Sequence, residues 1–237
     1  VSRNLALQSD LLLMVRPLSE KELTTLKPTQ FLVGMLEPFN NELQNLLKKQ
    51  GVSAFALEAL PRNTRAQSMD VLSSQANIAG YKAVILAADY YKKFMPMLMT
   101  AAGTVKAAKV IVLGAGVAGL QAVATAKRLG AVVEASDVRP SVQEQIESLG
   151  GKFIEVPFET EEEKECAIGQ GGYAKPMPKS WLTRQSKIVA EKAISADIII
   201  TSALIPGKSP PQLLSEETVK KMKFGSVIVD MAAGSGS

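Results

Sequence analysis

An α/β chain built on parallel sheets is what this 237-residue sequence predicts, on three observations. Short apolar runs rich in Val, Ile and Leu recur along it, as strands buried on both faces require. Segments with helix-capping residues separate those runs, which is the alternation of a doubly wound architecture. One run, Lys109-Val-Ile-Val-Leu113, passes directly into Gly114-Ala-Gly116-Val-Ala-Gly119, and the next, 131–136, ends at Asp137. The expected class is therefore a Rossmann-type doubly wound parallel sheet with a second, flavodoxin-like α/β domain before it.

Taken in order, 10–15, 31–36 and 52–57 are expected strands of one parallel sheet. Ser19-Glu-Lys-Glu22 forms a capping box that opens a short helix, and 42–50 forms another that ends at Gly51. A long helix is expected from about Ala66 to Phe94, stopping before Met95-Pro96 and connecting two domains. This places an N-terminal α/β domain at 1–95 and a dinucleotide-binding domain at 96–237. Strands of the second are expected near 109–113, 131–135, 152–156, 197–201 and 226–230. Ser215-Glu-Glu-Thr218 caps a last helix that Gly225 ends. Complete folds of this type carry a sixth strand. The chain also begins at Val1 and ends in Gly-Ser-Gly-Ser, so it is expected to be a fragment truncated at both ends, its second domain incomplete.

Composition excludes several functions. The net charge of +4 comes from mixed charges, and only 5% of residues are aromatic, so no basic, stacking surface for nucleic acid is expected. The longest apolar runs, such as 11–15 and 198–200, fall far short of the roughly 18 residues of a membrane span. No signal or transit peptide pattern is present, and the piece is expected to be soluble. The single cysteine, Cys166, permits no intrachain disulfide or cysteine metal cluster and is expected to be structural or inert. The acidic run 159–165 reads as a solvated helix face.

The chain contains no histidine, which removes the commonest general acid–base and the commonest metal ligand. Oxidising an alcohol or amine moves a proton along with the hydride, whereas exchange between two nicotinamide rings needs no such relay. The absence leans toward the second chemistry, although Lys, Tyr or Asp remain available as bases.

The Gly-rich run carries its own chemistry. Gly114 permits the tight strand-to-helix turn, Gly116 lets a pyrophosphate approach the backbone, and Gly119 lets helix and strand pack closely. The helix start then offers free N–H groups and a positive dipole end to phosphate. Asp137 stands near the spacing of about 20 residues at which an acid accepts from the adenosine ribose, favouring NAD(H) over NADP(H). Arg139 keeps a 2′-phosphate in play, and Glu134 is a rival acid inside the strand.

Four further segments carry a family resemblance. They are Arg62-Asn-Thr-Arg65-Ala-Gln67-Ser-Met-Asp70-Val-Leu-Ser73, Met99-Thr-Ala-Ala-Gly-Thr104, Gly171-Gly-Tyr173-Ala-Lys175 and Ala203-Leu-Ile-Pro-Gly-Lys208. With the Gly-rich run they closely resemble the NAD(H)-binding domain I of proton-translocating NAD(P) transhydrogenases, over nearly the whole chain. Alanine dehydrogenases share the fold and the Gly-rich segment, and the Arg-Ala-Gln-Ser-Met-Asp run is what sets the resemblance apart. On the residues alone, Gln67, Asp70 and Ser73 or Ser74 fall on one face if this segment is helical. An amide, a carboxylate and a hydroxyl there suit a nicotinamide carboxamide, with Arg62 placed to pair with Asp70. The plainer reading, a solvated first turn in which Asp70 complements the dipole, stays open beside it.

The resemblance implies nicotinamide-side contacts at Arg62, Asn63, Arg65, Gln67, Asp70 and Ser73. It implies phosphate and ribose contacts at Gly114, Ala115, Gly116, Val117, Gly119, Asp137, Val138 and Arg139. The glycine- and proline-rich stretch 169–179 reads as an exposed loop, and in the family the matching loop closes over nucleotide, which assigns Gly172 and Tyr173. The stretch Thr201 to Leu204, with Thr201, Ala203 and Leu204 as cofactor contacts, is expected to touch the adenosine side or line the cleft. Arg62, Gln67, Asp70, Ser73 and Tyr173 would hold the reacting ring, with no metal. The implied activity is hydride transfer from NADH to NADP+ held on a partner domain, coupled in the intact enzyme to proton translocation by a transmembrane domain. The chain would be a homodimeric peripheral part of a mitochondrial inner or bacterial cytoplasmic membrane enzyme. Two alternatives remain: an NAD-dependent amino-acid dehydrogenase of the alanine dehydrogenase type, and a non-enzymatic NAD-sensing module.

Overall fold

Residues 2–61, 63–168, 175–203 and 209–233 are described by a computed structural model. They form two compact units, Val1–Ser74 and Gln75–Ser237.

In the first unit, α1 (Arg3–Ala6) precedes β1 (Leu11–Met14), α2 (Glu20–Leu23), β2 (Phe31–Gly34), α3 (Asn41–Gln50) and β3 (Ser53–Ala56). The strands make a parallel sheet in the order β1-β2-β3, with Leu11 beside Phe31 and Phe31 beside Ser53. The expected capping box is present, as Ser19 and Glu22 satisfy each other across the first turn of α2. Asn40 caps α3, and Gly51 ends it in the left-handed conformation. Leu32 is buried among Leu23, Leu26, Leu36, Leu43 and Leu47 on one face of the sheet. Because strand side chains alternate, the opposite face carries Leu13, Phe31 and Phe55, which are exposed, with the two rings stacked at 6.4 Å.

The second unit takes in most of α4 (Val71–Tyr91), then a hairpin of β4 (Leu98–Thr100) and β5 (Gly103–Val105). There follow β6 (Lys109–Leu113), α5 (Val117–Arg128), β7 (Val132–Ser136), α6 (Gln143–Ser148) and β8 (Lys152–Phe153). The unit continues with α7 (Glu161–Ile168), α8 (Lys179–Ile194), β9 (Ile198–Thr201), α9 (Glu216–Lys220) and β10 (Val227–Asp230). Its five strands are all parallel in the order β10-β9-β6-β7-β8. Val110, Val112, Val133 and Ile198 pack toward Ala83, Val84 and Ala87 of α4 and Val123 of α5. Ile111, Leu113 and Ile199 pack toward Val189 and Ala193 of α8 on the other face. Helices on both faces explain why these runs are apolar throughout rather than alternating.

Several expectations are corrected. The long helix begins at Val71, not Ala66, because Asp70 holds a non-helical conformation (φ −75, ψ 85) and caps it, while 67–69 form a separate 3₁₀ turn. It ends at Tyr91, short of Phe94, where Lys92 turns to φ 54. Gln67, Asp70 and Ser73 therefore do not share a helical face. The third strand of the second sheet shrinks to Lys152–Phe153, since as an edge strand it pairs only with β7. The last helix stops at Lys220, and Gly225 sits in the turn before β10. The acidic run is not wholly solvated. Glu163 is 1% exposed and receives the Glu159 amide, the Ser180 hydroxyl and the Arg184 guanidinium. The hairpin at 98–105 was outside the expected strands.

Candidate functional site

The order of strands creates the site in the second unit. The chain leaves β6 toward β7 on one side, and after β8 it returns to β9 on the other. Loops leaving the carboxyl ends of β6 and β9 therefore diverge, which opens a crevice where such folds hold ligands. The Gly-rich loop lies at that point. Gly114 takes φ +94, a conformation that side chains resist, and its amide donates to the Ser136 carbonyl at 2.8 Å. A Cβ on Gly119 would stand 1.9 Å from the Gly114 oxygen, so the helix approaches the strand only because that residue is glycine. A Cβ on Gly116 would meet nothing within 4 Å. The approach to the backbone is thus open at the residue expected to receive pyrophosphate. Gly116 is also the N-cap of α5, and no side chain caps that turn, so its leading amides are left for an anion.

Asp137 closes one side of the loop. Its Oδ2 accepts the Ala115 amide at 2.7 Å, and its Oδ1 accepts the Arg139 amide at 2.9 Å. The Arg139 guanidinium grips the same carboxylate through Nε and Nη2, both at 2.9 Å. Those two donors thus face an acid rather than a phosphate position, and Val138 lies half-buried between the pair. Glu134, the rival acid, lies buried in β7 with Lys109 and Lys192 at 3.7 and 3.2 Å, which marks it as part of a structural ion-pair cluster.

On the β9 side, the Thr201 hydroxyl donates to Asp230 Oδ1 at 2.7 Å, and Thr201 is buried. The Ala203 amide lies within 3.0 Å of where a Gly114 side chain would begin. Ser202 falls within the stretch expected at the cleft, but sequence assigns it no role of its own; its hydroxyl donates to the Gly114 carbonyl at 2.8 Å and its amide donates to Leu113. The available signal was its place as the first small polar residue after the fourth strand, at the switch point.

The first unit holds a separate cleft of about 340 Å³, lined by Glu58, Asn63, Gln67, Asp70, Leu72 and Ser73 among others. Asn63 turns its side chain onto the Ala66 amide at 3.0 Å. Asp70 Oδ1 accepts the Ser73 amide at 2.9 Å and Oδ2 the Ser73 hydroxyl at 2.7 Å. The plainer sequence reading thus describes the local geometry of Asp70, while the cleft brings Gln67, Asp70 and Ser73 together by another route. Arg65 is exposed and outside this lining. Arg62, Gly172, Tyr173 and Leu204 lie outside the described residues. Among the described residues no cluster of His, Cys, Asp and Glu is arranged to hold a metal ion.

Comparison with known proteins gives the family. Residues 83–237 match the model described as Alanine dehydrogenase/PNT, C-terminal domain, and residues 1–79 match the corresponding N-terminal domain. The chain belongs to the alanine dehydrogenase/PNT family. It is 54% identical to a subunit alpha component of the NAD(P) transhydrogenase of Rhodospirillum rubrum, over 83% of this chain and 50% of that protein. The corresponding subunit alpha component from Rickettsia prowazekii is 44% identical over 96% of this chain and 60% of its own length. Among solved structures, a transhydrogenase from Sinorhizobium meliloti superposes with a TM-score of 0.81 at 46% identity, covering 98% of this chain and 61% of that one. An L-alanine dehydrogenase gives 0.69 at 25% identity, covering 98% and 58%. The chain thus spans about half to three fifths of the family members it matches here.

Proposed function

We propose that this chain binds NAD(H) and holds its nicotinamide for direct hydride transfer to NADP+ on a partner domain. The single observation that carries this is the Gly-rich loop, with open space at Gly116 and uncapped amides at the start of α5. Gly114, Ala115, Gly116, Val117 and Gly119 receive the pyrophosphate, and Asp137, positioned by Arg139, receives the adenosine ribose. Val138, Thr201, Ala203 and Leu204 complete that side. Arg62, Asn63, Arg65, Gln67, Asp70 and Ser73 hold the nicotinamide, with Gly172 and Tyr173 covering it. When bound, NADH supplies the hydride, and the products are NAD+ and NADPH with no proton moved by a side chain. That balance suits a chain without histidine. The protein's task is to position two rings and keep water from them.

In the intact enzyme this transfer is coupled to proton translocation by a transmembrane domain, and two copies of this chain pair. The chain would act as a peripheral part beside that domain. No helix among the described residues is long and apolar enough to cross a membrane. The test mixes the chain with an NADP+-loaded partner domain from a transhydrogenase and follows NADH absorbance. Oxidation of NADH matched by NADPH formation is expected. The likeness to alanine dehydrogenases favours one rival, and turnover of alanine with NAD+ and no partner would establish it instead.

A further inference from the structure

Glu58 follows β3, in the 3₁₀ turn Leu57–Ala59. Its Oε1 accepts the amides of Leu36 and Glu37, both at 2.8 Å, and so braces the turn after β2. Its Oε2 is buried and has no hydrogen-bond partner among the described residues. A buried acceptor left unmet is costly, and folded proteins rarely keep one without a reason. Glu58 lines the cleft that also holds Gln67, Asp70 and Ser73. Both oxygens of the second acid there, Asp70, already accept from Ser73.

The chemistry of a matching ligand follows from this inventory. With two carboxylates in the lining, an anionic group is repelled and a neutral group with N–H donors is drawn in. The Gln67 side chain adds an amide that can donate as well as accept. A flat carboxamide, which offers two N–H donors and one carbonyl acceptor, meets both needs at once.

We propose that Glu58 Oε2 accepts an N–H of the nicotinamide carboxamide, making Glu58 a cofactor-binding residue that selects the amide. This rests on the NAD(H) reading above. The test titrates the full chain with NADH, ADP-ribose and reduced 3-acetylpyridine adenine dinucleotide, whose acetyl group lacks the N–H donors. The wild-type chain is expected to bind NADH about tenfold more tightly than the acetylpyridine compound. Glu58→Gln keeps an acceptor for Leu36 and Glu37 but puts an NH₂ group at the other position. That variant is expected to lose the preference for NADH, with ADP-ribose binding and melting temperature unchanged.

Equal binding of NADH and the acetylpyridine compound by the wild-type chain would overturn the proposal without any variant. So would a Glu58→Gln chain that keeps the preference, or one that loses ADP-ribose and NADH alike. Failure of the wild-type chain to bind either NADH or ADP-ribose would instead sink the NAD(H) reading beneath it.

Discussion

The Gly-rich loop at 114–119 and the segment at 63–73 each lead into a helix, yet they are built in opposite ways. The loop is made of backbone. The groups proposed to face the ligand are main-chain amides, and side chains are absent where the turn, the open approach and the close helix packing need it, at Gly114, Gly116 and Gly119. The 63–73 segment is made of side chains, and Asn63 and Asp70 already bond to their own backbone. A backbone site is preorganised once the fold forms, so substitutions act on it by filling space. A side-chain site must change partners when a ligand arrives, so substitutions act on it by changing chemistry.

The largest expected effect breaks the first kind of site. Gly119→Ala forces a methyl against the Gly114 carbonyl, and it should cost about 3 kcal/mol in denaturant unfolding and abolish NADH binding. Gly116→Ala sharpens the contrast, because its methyl faces open space. Its unfolding midpoint should stay within a few tenths of a kcal/mol of wild type, while NADH affinity falls by about tenfold or more. Asp70→Ala removes the cap of α4 and should cost about 1 kcal/mol, whereas Asp70→Asn keeps an acceptor for the Ser73 amide and should recover most of that stability.

The smallest effect is a pH dependence confined to the second unit. The Glu159 amide, then the Ser180 hydroxyl and the Arg184 guanidinium, hold the Glu163 carboxyl below its usual range. Its stabilisation is present in full above the unfolded-state value of about 4.3 and is lost as pH falls through the lower folded value. Trp181, the chain's single tryptophan, is buried beside Ser180 on α8 and reports this unit by fluorescence. Acid unfolding seen by Trp181 should flatten in Glu163→Gln.

The same contrast decides what the sequence reveals. The Gly-rich loop was legible because each glycine performs one task at a fixed spacing, and Gly114 and Gly119 meet their tasks as expected. The segment at 63–73 stays ambiguous in the sequence because steps of three residues suit both a helical face and an N-cap. Only the backbone angles of Asp70 separate those two. Glu163 hid within a run of acids, since its partners Ser180 and Arg184 lie 17 and 21 residues away. The contacts of Ser202 and Glu58 are hidden from the sequence for the same cause, although the place of Ser202 after the fourth strand is not. Their roles rest on atoms brought near by folding, the Gly114 carbonyl in one case and the Leu36 and Glu37 amides in the other.

The most direct test of the central claim is a fluorescence titration of the full chain with NADH beside NADPH. Saturable NADH binding, with NADPH weaker by on the order of tenfold, is the result expected of a ribose held by Asp137. Equal binding of the two would contradict the assignment of this loop to NAD(H).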